Sequence, residues 1–202
     1  MWASQQERTL SNSRGAVRII GGKWRSRKIE IPDIEGLRPT PDRVRETIFN
    51  WLSQAVMGAN CLDLFSGTGV MAFEALSRGA SKVTVVEQSK IVCAHLYTSA
   101  QKLQIPEAEF SIMRQDVVAW LKQIKTPQGF DLVFLDPPYH QDWLTKVLPM
   151  LFSCKGLLNP DCLIYIESEK NLGPELLPNG AEIQKYKQAG KVHYFLVRQK
   201  SS

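Results

Sequence analysis

From about residue 60 onward the chain repeats one pattern. A short apolar run is followed by a polar or glycine-rich turn and then by a longer stretch with apolar positions every three or four residues. Short runs of β-branched and large apolar residues read as buried parallel strands. Cys61-Leu62-Asp63-Leu64-Phe65 predicts the first and Lys82-Val83-Thr84-Val85-Val86 the second, closing on Glu87. Glu109 to Met113, Phe130 to Leu135, and Leu163-Ile164-Tyr165-Ile166-Glu167 follow. Helices are predicted over Val70 to Arg78, ended by Gly79, and over Ser89 to Leu103, Val117 to Ile124 and Asp142 to Phe152. Alternating βα units of this kind specify an α/β fold, a doubly wound parallel sheet. Ala181 to Tyr186 and Val192 to Arg198, about Gly190, predict a hairpin that adds antiparallel strands to one edge.

The pattern before residue 57 is different. Residues 1–16 are polar and have no period, which predicts a flexible tail. Residues 17–31 alternate apolar and polar groups around Gly21-Gly22, as in a small hairpin. In Thr40-Pro41-Asp42 the pattern of a helix start is complete: Thr40 as N-cap, Pro41 at the first helical position and Asp42 in the first turn. Val44, Ile48, Trp51, Leu52 and Ala55 then recur at helical spacing and form one apolar face. The expected organisation is a tail (1–16), an extension of hairpin and helix (17–56) and one domain (57–202).

Composition changes this picture in few places. At 202 residues and 44% hydrophobic content, one globular domain with an extension is expected. The net charge of +5 is mild, but from Arg14 to Lys28 there are six basic residues and no acid. The four cysteines (Cys61, Cys93, Cys154, Cys162) form no Cys-x-x-Cys pair and the three histidines are scattered, so reduced thiols and no metal site are expected. The first residues lack an apolar signal region, and no apolar stretch reaches the roughly 18 residues of a membrane span. A cytoplasmic protein without membrane contact is expected.

The candidate chemistry lies at strand ends. Asp136-Pro137-Pro138-Tyr139 follows directly on the fourth strand of the sheet. Two prolines forbid both helix and further ladder bonding, so the chain leaves the strand rigidly, at the edge where open α/β sheets bind ligands. A fixed acceptor beside an aromatic ring suits a flat, amino-bearing ring. The plainer alternative makes Asp136 a helix cap and Tyr139 a core aromatic. Asp63-Leu64-Phe65-Ser66-Gly67-Thr68-Gly69 reads as a nucleoside-cofactor loop, a tight turn whose backbone amides can approach a ligand. Glu87 is placed for ribose hydroxyls, Asp116 for an adenine amino group and Asp63 for the amino group of an amino-acid-bearing cofactor. Capping is the alternative for Glu87 and Asp116. Gly67-x-Gly69-x-x-Ala72 with Glu87 also fits a dinucleotide fingerprint. Asp63 would crowd a pyrophosphate, however, and hydride transfer does not call for Asp-Pro-Pro-Tyr.

These segments, together with Arg18-Ile19-Ile20-Gly21-Gly22-Lys23-Trp24-Arg25, Leu37-Arg38-Pro39-Thr40-Pro41-Asp42-Arg43-Val44-Arg45-Glu46-Thr47 and Glu74-Ala75-Leu76-Ser77-Arg78-Gly79-Ala80, resemble the RsmD family of bacterial 16S rRNA guanine-N2 methyltransferases. The resemblance runs from about Arg18 to Arg198. It departs from the family in a longer polar N-terminus and in Pro41, where a second threonine is frequent. It implies a Rossmann-like class I methyltransferase sheet, S-adenosyl-L-methionine as methyl donor, S-adenosyl-L-homocysteine as product and no metal. Thr40, Phe65, Ser66 and Val117 are expected beside the cofactor with Asp63, Gly67, Gly69, Glu87, Asp116 and Asp136. The implied catalytic set is Asp136, Pro137 and Tyr139. The implied substrate is 16S rRNA in an assembling or assembled small subunit, with Arg18, Lys23, Arg25, Arg27 and Lys28 on its phosphates. A DNA adenine-N6 or cytosine-N4 methyltransferase would use the same tetrapeptide, but the chain has no room for a sizeable DNA-reading domain. An NAD-dependent oxidoreductase and a silent RNA-binding module remain the other classes. The residues leave the oligomeric state open, with a monomer favoured.

Overall fold

A computed structural model describes residues 13–34, 37, 39–125, 128–139 and 141–200. β1 (Ser13–Arg18) and β2 (Lys28–Pro32) form the N-terminal antiparallel hairpin, and α1 (Asp42–Leu52) leads through a 3-10 turn into the domain. Then come β3 (Asn60–Leu64), α2 (Val70–Ser77), β4 (Lys82–Glu87), α3 (Lys90–Lys102), β5 (Phe110–Arg114), α4 (Val117–Gln123) and β6 (Phe130–Leu135). α5 (Trp143–Ser153), β7 (Leu158–Ser168), β8 (Ala181–Ala189) and β9 (Val192–Gln199) complete the chain. The large sheet has the order β5-β4-β3-β6-β7-β9-β8. Its first five strands are parallel, and β9 and β8 run antiparallel at the far side. The expected fold class is therefore the observed one.

Both faces of the sheet are covered, which explains the unbroken apolar runs. On one face Ile48 and Phe49 of α1, Phe73 of α2, Leu96 of α3 and Ile19 and Ile29 of the hairpin share a core with Cys61, Val83 and Phe134. On the other, Trp120 of α4 and Val147, Leu148 and Leu151 of α5 pack on Leu62, Leu64 and Val133. All four cysteines are free, with Cys61 and Cys162 buried.

Several boundaries shift from the sequence pattern, most by one residue, and β8 runs on past Tyr186 to Ala189. β1 begins at Ser13, so four residues read as tail are strand; residues 1–12 of that tail lie outside the described residues. α1 starts at Asp42 with Pro41 in the capping position, and Thr40 makes no side-chain cap. Its carbonyl instead accepts from Arg45 Nε at 3.0 Å, which fixes the segment entering the helix. β7 starts five residues before its apolar run, because Asn159 donates to Asp131 and to the Gly129 carbonyl and carries the pairing through polar positions.

The N-terminal hairpin is anchored to α2. Glu74 and Arg45, both fully buried, pair at 3.1 Å, and Glu74 also accepts from the Ile20 amide and from Arg78 Nε. At the hairpin's turn the Lys23 and Trp24 amides donate to the Ser77 carbonyl and hydroxyl. A Cβ on Gly22 would overlap that carbonyl, so only glycine permits the approach. Ser77 is the last residue of α2. The turn therefore sits at the edge of the sheet opposite the carboxyl ends of its parallel strands.

Candidate active site

Side chains alternate along a strand, so register decides which of them share a face. Asp63 pairs with Phe134, Phe134 with Tyr165, and Glu167 with Tyr194. Asp63, Phe134, Tyr165, Glu167 and Tyr194 thus look to the side covered by α1 and α2, and Asp136 continues that row past the end of β6. Each of the five parallel strands delivers one acid to its carboxyl edge: Asp63, Glu87, Asp116, Asp136 and Glu167. All five line a cavity of about 790 Å³, together with the Ser66-Gly67-Thr68 turn, Phe65, Val117 and Pro137. Leu37, Pro39, Thr40 and Pro41 of the extension form its wall. The cavity lies where the order of strands reverses about β3, the place where open sheets bind ligands.

The electrostatics of the floor are unusual. Asp63 is 4% exposed, and neither its Oδ2 nor Ser66 Oγ has a hydrogen-bond partner. Burial pushes the Asp63 carboxyl up to about 8, and the Glu87 charge adds to the effect. Burial also holds Asp136 well above the ordinary carboxylate range, reinforced by Glu167 and Asp63. Glu167, buried as well, is raised by desolvation although two phenols bind it: Tyr139 donates at 2.7 Å and Tyr165 at 3.1 Å. The first bond holds Tyr139 by its hydroxyl, while the residue stays 42% exposed at the mouth.

Asp136 caps no helix, since α5 begins at Trp143 after Asp142, and Tyr139 is not a core aromatic. Asp116 does cap α4, accepting from the Ala119 amide at 2.9 Å, while still lining the cavity. Glu87 accepts from the amides of Gly67 (3.1 Å) and Ser89 (2.7 Å), so it braces the glycine turn against the start of α3. Gly69, expected at the cofactor, does not line the cavity. It takes φ +72° ahead of α2, and a Cβ there would run into Leu96 and Phe73, so its role is close helix packing.

The basic residues of the arm do not reach the cavity. Arg18 pairs with Asp42 at 2.8 Å, Arg27 donates to the Lys102 carbonyl at 2.8 Å, and Lys23 lies over the Trp24 ring with Glu109 at 3.8 Å. Arg25 and Lys28 are exposed on the same hairpin. The sequence reading also missed Glu167, Tyr165 and Tyr194. An acid closing the fifth predicted strand was a usable signal for Glu167, since Glu87 was found that way; nothing local marks Tyr194, which arrives from an antiparallel strand. Among the described residues no cluster of His, Cys, Asp and Glu is placed to hold a metal ion, and no helix is long and apolar enough to cross a membrane.

A mostly parallel sheet ending in an antiparallel hairpin, with an acid from each parallel strand at its carboxyl edge and Asp-Pro-Pro-Tyr after β6, defines a Rossmann-like methyltransferase. The family model described as Conserved hypothetical protein 95 matches residues 17–198, and the chain belongs to this family, the RsmD family. It is 42% identical over 185 residues to a Haemophilus influenzae protein named Ribosomal RNA small subunit methyltransferase D, covering 92% of this chain and 95% of that one. A putative methyltransferase from Escherichia coli superposes with a TM-score of 0.82 at 34% identity, over 93% of this chain and 100% of that one. A more distant putative methyltransferase, solved in complex with SAH, shares the fold at a TM-score of 0.63 and 16% identity, over 77% of this chain and 48% of that one.

Proposed function

We propose that the protein transfers a methyl group from S-adenosylmethionine to the exocyclic N2 amine of a guanine in small-subunit (16S) ribosomal RNA. The observation that carries this reading is the sign of the cavity floor. Three buried carboxyls, Asp63, Asp136 and Glu167, repel one another and bind protons too well. A cationic ligand relieves that strain, whereas the pyrophosphate of NAD would meet acids at every strand end.

The residues present fit the cofactor. The unpartnered Asp63 Oδ2 and Ser66 Oγ suit its ammonium group. Glu87 suits the ribose hydroxyls and Asp116 the adenine amine, with Thr40, Phe65, Gly67 and Val117 around them. When bound, S-adenosylmethionine supplies an electrophilic methyl group on a sulfonium, and S-adenosylhomocysteine is what remains.

An exocyclic amine on a nucleobase is a weak nucleophile because its lone pair is delocalised into the ring. Asp136 accepts one N–H and the Pro137 carbonyl the other, which turns the lone pair toward the methyl group. Tyr139 stacks on the base and cannot swing away, since Glu167 holds its hydroxyl. Positive charge then develops on the nitrogen, and the Asp136 carboxylate stabilises it and takes the proton. Once a cationic ligand has favoured the ionised form, the raised proton affinity of Asp136 lets it keep that proton.

The target base must leave its stack to enter the cavity, at a cost of a few kcal/mol that backbone contacts offset. That the base is a guanine of ribosomal RNA is supported by the resemblance to the family and by the names of the relatives. The reaction takes place in the cytoplasm on an assembling or assembled subunit. Arg18, Lys23, Arg25, Arg27 and Lys28 contribute long-range attraction to the RNA. Transfer of labelled methyl groups into small-subunit rRNA tests the reading, with Asp136→Ala as the decisive variant. That variant is expected to keep cofactor affinity and lose at least about 100-fold in methyl transfer. Transfer near the wild-type rate would remove Asp136 from the mechanism.

A further inference from the structure

A base drawn into the cavity keeps its strand at the mouth, and the charge there does not come from the N-terminal arm. Beside the cavity, between α1 and the β8–β9 hairpin, runs a groove of about 250 Å³. Ile48, Trp51 and Tyr194 line its apolar part, and Arg43 and Lys187 stand along it. Tyr194 lines both the groove and the cavity, so the two share a wall. No carboxylate lines the groove. Lys187 Nζ donates to Thr47 Oγ1 at 3.3 Å, a neutral contact that leaves its charge uncompensated. Register puts Lys185 on the same face as Lys187, opposite Leu196 and Tyr194 respectively, and Lys191 follows at the turn. Arg43, Lys185, Lys187 and Lys191 are all exposed, and none of them forms an ion pair among the described residues.

β9 pairs antiparallel with β7, with His193 beside Ser168, so the β8–β9 turn stands at the carboxyl edge of the sheet, where the cavity opens. Free cations, an aromatic floor and no acid form a combination that binds single-stranded nucleic acid, with phosphates on the cations and bases on the rings. We infer that the groove between α1 and the β8–β9 hairpin seats a nucleotide adjacent to the target in the same RNA strand, its phosphate between Arg43 and Lys187 and its base against Trp51. This rests on the proposed function and adds to it the path of the strand. The groove has room for one base and not for a duplex, so the occupant is an unpaired nucleotide.

The test is the double variant Arg43→Gln/Lys187→Gln, both positions exposed on the surface. Methyl transfer to small-subunit rRNA is followed across a salt series, and S-adenosylmethionine binding is measured calorimetrically on the same samples. KM for the RNA is expected to rise about tenfold with kcat within about twofold. The slope of log KM against log salt should fall by about 0.7, for the one single-strand phosphate that the two cations share. Cofactor affinity should stay within about twofold. A single-stranded oligoribonucleotide should compete with substrate for the wild-type protein and lose potency against the double variant, while a duplex DNA of equal charge competes weakly with both. An unchanged KM and salt slope, with the wild type active on rRNA, overturns the groove and leaves the proposed function standing. A matching loss of cofactor affinity also overturns it, because the residues would then act through the cavity. No transfer to rRNA by the wild type overturns both.

Discussion

The floor of the cavity and the surface at its mouth carry opposite charge within one site. The floor gathers Asp63, Asp136 and Glu167, each buried and each holding its proton more tightly than an ordinary carboxyl. The rim carries Arg43, Lys185, Lys187 and Lys191, exposed and free of ion pairs among the described residues. The proposed transfer, which brings a polyanion to a cationic donor, needs both signs, and here depth keeps them apart. The densest run of positive charge in the chain, Arg14 to Lys28, is neither floor nor rim: its turn docks on the end of α2, with Lys23 and Arg27 engaged by the domain and Arg18 by Asp42 of α1. Charge counted along a sequence does not say where the charge stands.

The two halves of this contrast separate by what each variant changes. The largest effect is expected at the floor. On the proposed reading, Asp63→Asn removes the carboxylate that meets the cofactor's ammonium, and loss of one charge-assisted hydrogen bond of about 1.5–3 kcal/mol weakens binding by roughly 10- to 100-fold. Salt should barely alter that loss, in contrast to the rim variants, and calorimetry reads both. A floor effect that screened away with salt would erase the distinction.

The same carboxyl makes a pH prediction. In the unfolded chain Asp63 titrates near 3.8 and in the folded, ligand-free protein near 8. Between those values the folded state holds the proton and the unfolded state has released it. Stability therefore falls as pH rises from about 4 toward 8. Thermal unfolding across this range should show the decline, and Asp63→Asn should flatten it. Asp136 and Glu167 are shifted in the same direction and deepen the slope. Binding of a cation at Asp63 should in turn expel its proton, so the heat of cofactor binding at pH 7 should vary with the ionisation enthalpy of the buffer. A buffer-independent heat would mean that Asp63 is already ionised.

The smallest effect lies between floor and rim. Tyr139→Phe keeps the ring for stacking and loses the hydroxyl bond to Glu167, a hydrogen bond of about 0.5–1.5 kcal/mol. Methyl transfer should slow by roughly 3- to 10-fold with cofactor affinity unchanged. A loss as large as that of Asp136→Ala would make the hydroxyl, and not the ring, the functional part of Tyr139.

Much of this was present in local pattern. The parallel strands announce themselves because both faces are buried and their residues are apolar throughout; β6 matches its predicted span from Phe130 to Leu135. Asp136 was found because two prolines mark the end of that strand, and Asp63 because an acid inside an apolar strand is conspicuous. What escaped depends on contacts distant in sequence. Glu167 meets Tyr139 across 28 residues, and Tyr194 reaches the cavity through the register of β9 on β7. Gly69 and Gly22 look alike in sequence, and only their neighbours, Leu96 for one and Ser77 for the other, reveal a packing role. Arg43 stood only within a segment that resembles the family, and Lys187 drew no attention in an edge strand. Neither position has chemical meaning until the last hairpin folds beside α1.

The central claim, methyl transfer to the N2 amine of guanine in small-subunit rRNA, is tested most directly by the modified nucleoside itself. Purified protein and labelled S-adenosylmethionine are incubated with small subunits from cells that lack the protein, and with DNA in parallel, and the labelled nucleosides are then separated. Label in N2-methylguanosine from the rRNA is the predicted result. Label in N6-methyladenine or N4-methylcytosine from the DNA, with none in the rRNA, would contradict it.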